Sequence, residues 1–82
     1  VHDQIAKQVE EMQKAIASYK RMDQKREEII SQLVERFHQG EKIDLIPLND
    51  WTKEMNQFAS QYHLPIRKYV TMEMFESYAK KL

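Results

Sequence analysis

Apolar residues recur at steps of three and four along the first half of the chain, where residues 2–39 contain neither glycine nor proline. Such steps place side chains on one face of an α-helix, and steps of four and three in alternation form the heptad pattern of helix pairs. Gly40 would end this helix, because glycine enters the left-handed cap conformation without strain. We predict one helix over about residues 2–39. Its apolar positions are Ile5, Val9, Met12, Ile16, Tyr19, Ile30, Leu33 and Phe37.

Two shorter helices are predicted in the second half. Asn49 is a suitable N-cap for a helix over about residues 50–62, and Thr71 for a helix over about residues 72–81. Pro47 favours an extended conformation at the residue before it, so residues 41–48 are predicted to form an apolar connector. Residues 63–70, which contain Pro65, form a second extended connector.

The lengths of these helices lead to an expectation about assembly. At about 1.5 Å per residue, the first helix is about 57 Å long, whereas the other two together cover roughly 35 Å of it. We therefore predict an all-α fold in which the short helices pack against the C-terminal half of the long one. The N-terminal half would then expose an apolar stripe, and we expect a homodimer or another helical protein to cover it. The candidate dimer interface consists of Ile5, Val9, Met12, Ile16, Tyr19, Asp23 and Arg26.

Asp23 and Arg26 are polar residues that fall on the same stripe, one helical turn apart. In an antiparallel dimer that crosses there, Asp23 of each chain would face Arg26 of the other and fix the register. Alternatively, the stripe rotates onto Met22 and Ile29, and the charged pair is solvated.

Composition narrows the classes of function. The 82 residues suffice for a single domain, and its 13 basic residues are balanced by 13 acidic ones, with similar balance in each half. Nucleic-acid binding and a polybasic membrane anchor both need an excess of basic residues, so both are disfavoured. Cysteine is absent, which excludes disulfides and thiol chemistry. A polar start at residues 1–4 does not resemble a signal peptide, and we expect a cytoplasmic protein.

No combination of residues indicates an enzyme, a cofactor or a small-molecule substrate. Glu35 and His38 have the spacing of helix-borne metal ligands, but His38 is better explained as a cation in the last helical turn. The single glycine excludes phosphate-binding glycine loops. A weak candidate anion site remains at Arg67, Lys68 and Thr71, beside the start of the third helix.

A longer pattern in the second half resembles a known family. It consists of Asn49, residues 52–56, Pro65, residues 67–71, Glu73, Met74 and Tyr78, and residues 26–40 fit it more loosely. On these residues the chain resembles the YpbS-like family of small uncharacterised proteins of Bacillus-type bacteria. The resemblance implies a bacterial protein of similar length and carries over no activity, cofactor or catalytic residue.

The sequence thus favours a non-enzymatic helical interaction or structural module that self-associates through its long helix. The alternative is a nucleic-acid or phosphate-ligand binding protein that uses Arg67 and Lys68.

Overall fold

The fold consists of one long helix with the second half of the chain packed against its C-terminal part. The computed structural model describes the backbone of residues 2–82 and the side chains of residues 5–82. The side chains of residues 1–4, on which the expectation about a signal peptide rests, lie outside the described part. The helix α1 runs over His2–His38, as the apolar spacing predicts, and gives the molecule its length of 59 Å against 19 and 16 Å across.

The second helix, α2, spans Ile46–Gln61 and begins four residues before the predicted start at residue 50. Pro47 lies in the first turn, where a missing N–H costs nothing because that turn has no intrahelical partner for it. The Asp44 carboxylate accepts a hydrogen bond from the Ile46 N–H at 3.0 Å, which satisfies another amide of this turn. The predicted N-cap role of Asn49 is therefore wrong, since Leu45 occupies that position.

The third helix, α3, spans Met72–Lys80, close to the predicted bounds. Thr71 is its N-cap in an extended conformation, and its side chain accepts a hydrogen bond from the Met74 N–H. Residues 63–71 have no regular secondary structure, in agreement with the predicted connector. All three predicted helices are thus confirmed, and helices account for every regular element within residues 2–82.

The core lies between the C-terminal part of α1 and the other two helices. Near the end of α1, the rings of Phe37 and of Phe75 in α3 pack perpendicular to each other with centroids 5.8 Å apart. Nearer the middle of α1, Tyr19 packs with Met55 and Ala59. Because α2 begins beside the end of α1 and ends beside its middle, the two helices are antiparallel. The larger cluster of buried side chains contains Leu33, Val34, Leu45, Leu48, Phe75 and Ala79.

Helices α1 and α2 both end in a left-handed residue. Gly40 follows α1 with φ +80°, and the Glu41 N–H reaches back to the Arg36 carbonyl at 3.1 Å. His63 follows α2 with φ +57°, and the Leu64 N–H reaches back to the Ala59 carbonyl at 2.9 Å. Both are Schellman caps, in which a residue with positive φ satisfies the last carbonyls of the helix. The predicted stop at Gly40 is confirmed, and α2 uses histidine for the same purpose.

These two caps lead to opposite expected effects of substitution. Gly40→Ala should lower the free energy of unfolding by about 1 kcal/mol, because a side chain is strained at this φ. Nothing lies within 4 Å of the added Cβ, so steric contact contributes no further loss. His63→Gly is the matched substitution and should raise stability by up to about 1 kcal/mol. Urea unfolding of both variants measures the two changes, and a loss of stability in His63→Gly would contradict this account.

Candidate functional site

The connector after α2 is held by two asparagine side chains, whose amides bind its backbone N–H and carbonyl groups as a neighbouring β-strand would. The Asn56 amide accepts from the Arg67 N–H at 2.7 Å and donates to the Arg67 carbonyl at 2.8 Å. The Asn49 amide does the same for Val70, at 2.8 and 3.0 Å. Since a partly buried backbone N–H or carbonyl without a partner is costly, these four bonds fix the path of the connector.

The two asparagine pairs fit because seven residues of helix and three residues of extended chain span nearly the same distance. Asn49 and Asn56 are seven residues apart, which is about 10.5 Å along a helix. Arg67 and Val70 are three residues apart, which is about 10 Å in extended chain. The order is reversed, with the later asparagine bound to the earlier connector residue. The connector therefore runs back along α2 and carries α3 to the end of α1.

An ion pair joins this connector to α1. The Arg67 guanidinium donates from Nε to one carboxylate oxygen of Asp23 at 3.1 Å and from Nη2 to the other at 3.2 Å. Both side chains are about one-third exposed, so a pair of this kind contributes about 1 kcal/mol at most. These hydrogen bonds raise the pKa of the Arg67 guanidinium above its usual value, against a smaller opposing effect of burial. The Tyr19 hydroxyl completes the attachment by donating to the Pro65 carbonyl at 2.6 Å.

Arg26 connects α1 to both α2 and the connector. Its Nε donates to the Thr52 hydroxyl at 3.0 Å, and its Nη2 donates to the Lys68 carbonyl at 3.1 Å. Thr52 is fully buried, and its hydroxyl donates in turn to the Leu48 carbonyl at 2.9 Å. A guanidinium can serve two such acceptors at once because it has five N–H groups in a fixed plane.

Two further side chains hold the short helices to α1. The Trp51 indole N–H donates to the Met22 carbonyl at 2.9 Å, and the Lys25 ammonium lies 4.2 Å from the centre of the Trp51 ring. His38 Nε2 lies 3.0 Å from the Ala79 carbonyl, and since a carbonyl only accepts, this nitrogen donates. His38 thus ties the end of α3 to the end of α1.

These contacts change the role of three residues in the predicted interface. The structure gives Tyr19, Asp23 and Arg26 partners within the same chain, whereas the pairing of Asp23 with Arg26 of a second copy stays a prediction. The predicted stripe therefore divides near residue 19. Its C-terminal part belongs to the intramolecular core and the polar attachment described above.

The N-terminal part of the stripe is uncovered. We call Ile5, Val9, Met12 and Ile16 the arm surface, and residues 5–16 the arm. The exposed fractions of these side chains are 56, 52, 40 and 38 %, in chain order. Exposure falls toward Ala15 and Tyr19, where α2 ends and the intramolecular core begins. The four side chains form one continuous apolar stripe, which the second half of the chain borders only near its end, where Phe58 and Tyr62 lie beside Ala15.

The predicted anion site has no free set of donors. Arg67 is paired with Asp23, and the Thr71 hydroxyl already caps α3. Lys68 is exposed, and its backbone carbonyl binds Arg26. The three residues lie along one connector, and the Arg67 and Thr71 side chains both have partners within the chain.

Metal and ligand sites have little support in the described part of the chain. Among the side chains of residues 5–82, no group of three His, Asp or Glu residues could hold a metal ion. No helix in that part is both long and apolar enough to cross a membrane. An open groove of about 180 Å³ lies where α1, α2 and α3 meet, and most of its lining is apolar. Its lining contains Glu27, Ile30, Leu48, Val70, Phe75 and Tyr78.

Fold and contacts together define a small three-helix protein whose long helix extends beyond its folded core. The chain belongs to the family described as "Protein of unknown function (DUF2533)", whose model matches residues 1–81. It is similar to "Uncharacterized protein YpbS" of Bacillus subtilis (strain 168), with 27 % identity over 82 residues, which are 100 % of this chain and 96 % of that protein. No solved structure matches the chain. The resemblance predicted from the second half is confirmed.

The asparagine pairs predict a measurable loss of stability. Asn56→Ala removes both partners of the Arg67 backbone and should lower the free energy of unfolding by about 1–2 kcal/mol. Gln57→Ala is the control, because Gln57 is exposed on the next position of the same helix, and it should change stability by less than about 0.5 kcal/mol. Denaturant unfolding followed by circular dichroism measures both. Equal stability of the two variants would show that Asn56 does not hold the connector.

Proposed function

We propose that this protein is a non-enzymatic helical interaction module that self-associates through the arm surface. The observation that carries this proposal is the continuous exposure of four large apolar side chains on one face of a regular helix. A monomeric protein rarely leaves such a stripe in water, and stripes with heptad spacing are the usual contact surface between helices. The arm surface is thus the part of the molecule best suited to bind another helix.

The arrangement of polar groups supports a role without catalysis. Among the described residues, every buried side-chain nitrogen or oxygen has a hydrogen-bond partner. The charged and hydroxyl groups on the inner face of α1 are engaged in holding the connector, as Asp23, Arg26 and Tyr19 illustrate. Groups that act on a substrate face a cavity, and they have either a shifted pKa or hydrogen-bond donors without a partner in the protein. These groups instead have structural partners.

The expected strength of association sets the conditions of the test. Burying the exposed part of each of the four side chains would contribute about 1 kcal/mol, or about 8 kcal/mol for the eight side chains of a dimer. Association itself costs about 4–15 kcal/mol. The net free energy of association is therefore about −4 kcal/mol at best, which corresponds to a dissociation constant of about 1 mM, so the dimer should form only at high protein concentration.

The proposal predicts a change of mass on substitution of the arm surface. The unsubstituted protein should approach twice its chain mass of 9.9 kDa as concentration rises. Val9→Asp combined with Ile16→Asp should give a folded monomer at every concentration, because two carboxylates cannot be buried in an apolar contact without a large cost. Light scattering on a size-exclusion column measures the mass, and circular dichroism confirms that the helices remain.

The chain offers a closely matched control. Ala17 and Gln24 are exposed, uncharged and seven residues apart on α1, as Val9 and Ile16 are, but they lie about 90–110° from the arm surface. Ala17→Asp combined with Gln24→Asp should leave the dimer intact. The proposal fails if the unsubstituted protein is monomeric up to about millimolar concentration, or if both double variants dimerise equally.

A further inference from the structure

The arm has an internal symmetry that the rest of the chain lacks. Residues 5–16 read Ile-Ala-Lys-Gln-Val-Glu-Glu-Met-Gln-Lys-Ala-Ile, which is the same in both directions at every position except Val9 and Met12. The symmetry centre lies between Glu10 and Glu11. The symmetry does not extend further, because residues 4 and 17 differ in type.

We infer that the partner of the arm is a second copy of this chain, bound antiparallel with a two-fold axis between Glu10 and Glu11. This inference rests on the proposed self-association and adds its geometry. In such a pair, residue i lies level with residue 21 − i of the partner. Ile5 therefore meets the partner's Ile16, and Val9 meets the partner's Met12, so that every contact of the arm surface is apolar. A two-fold interface of this kind closes on itself and leaves no further surface to extend.

The flanking positions allow close approach of the two helices. At about 100° per residue, the side chains beside the arm surface are those of Ala6, Gln8, Gln13 and Ala15. All four are uncharged, so charge repulsion does not separate the helices, and Ala6 adds little bulk. Ala15 is already covered by the end of α2, where Phe58 and Tyr62 lie beside it, so the partner helix would also border these two rings. The charged residues of the arm lie about 130–170° from the centre of the surface and face water. They are Lys7, Glu10, Glu11 and Lys14, of which Glu10 and Lys14 form a surface ion pair at 3.7 Å.

The folded part of the molecule disfavours the parallel alternative. A parallel pair in register would place both folded parts at the same end of the arm, beginning at Ala15. Continued contact along the stripe would require Tyr19 and Asp23, which are already engaged with the connector of the same chain. The antiparallel pair instead places the two folded parts at opposite ends, where neither meets the other.

The absence of cysteine from the chain makes the orientation directly testable. The variants Ile5→Cys and Ile16→Cys would be purified separately, then oxidised alone and as an equal mixture. In the antiparallel pair, position 5 of one chain and position 5 of the other are eleven residues apart along the axis, about 16 Å, which is far beyond the reach of a disulfide. The same separation applies to position 16. We expect a disulfide-linked dimer on a non-reducing gel from the mixture and none from either variant alone.

The other outcomes separate this inference from the proposed function. Linked dimers from each variant alone would overturn the antiparallel geometry while leaving self-association standing. Absence of linkage, together with a monomeric mass for the unsubstituted protein, would overturn both.

A second measurement keeps the arm surface unchanged. Gln32 is exposed on the folded part of α1, so a spin label on Gln32→Cys does not alter the contact. The antiparallel pair predicts a separation of about 65 Å between the two labels, from about 43 residues of helix rise. A parallel pair would bring them within about 30 Å, since packed helix axes are only about 10 Å apart. Electron–electron double resonance distinguishes the two, and the short distance would overturn the inference.

Discussion

The length of α1 is the constraint on which the rest of the structure depends. Its 37 residues span about 55 Å, whereas the 16 residues of α2 span about 24 Å and the 9 residues of α3 about 14 Å. The second half of the chain can therefore cover only part of α1, and where it docks decides which part remains bare. Docking at the C-terminal end leaves the arm uncovered, so the proposed function follows from where these elements dock.

That docking is determined by polar contacts as much as by the apolar core. The core is small, as expected for a chain of 82 residues, and its two clusters are separate along α1. Directional bonds from Asn49, Asn56 and Arg26 to backbone atoms of the connector define one register between α2, the connector and α1. Sliding by one helical turn would break all of them together and leave buried donors and acceptors unpaired, which costs more than the loss of apolar contact alone. The arm is consequently fixed in direction, as a rigid extension of a helix anchored at its other end.

The helices could be predicted from sequence because their signals are local. Gly40 ends α1 through its backbone freedom and Thr71 begins α3 through its side chain, and both predictions are confirmed. The start of α2 could not be predicted correctly, because Asn49 satisfies the local rule for a cap but is needed by Val70, which lies 21 residues later. The partners of Asp23 and Arg26 could not be predicted either, because they also lie far away along the chain. Their spacing fits a heptad stripe, and only the folded connector shows that their partners are Arg67 and the Lys68 carbonyl. The seven-residue interval between Asn49 and Asn56 was available as a signal, since it places both amides on one face of α2.

The folded part of the molecule has its polar and apolar partners within one chain, and we propose that the arm is completed by a second copy. Amide hydrogen exchange, read by mass spectrometry at low and high protein concentration, tests this most directly. We expect amides of residues 5–16 to exchange more slowly at high concentration, while those of α2 and of residues 22–38 exchange at the same rate in both samples. Exchange in the arm that is independent of concentration would contradict the claim.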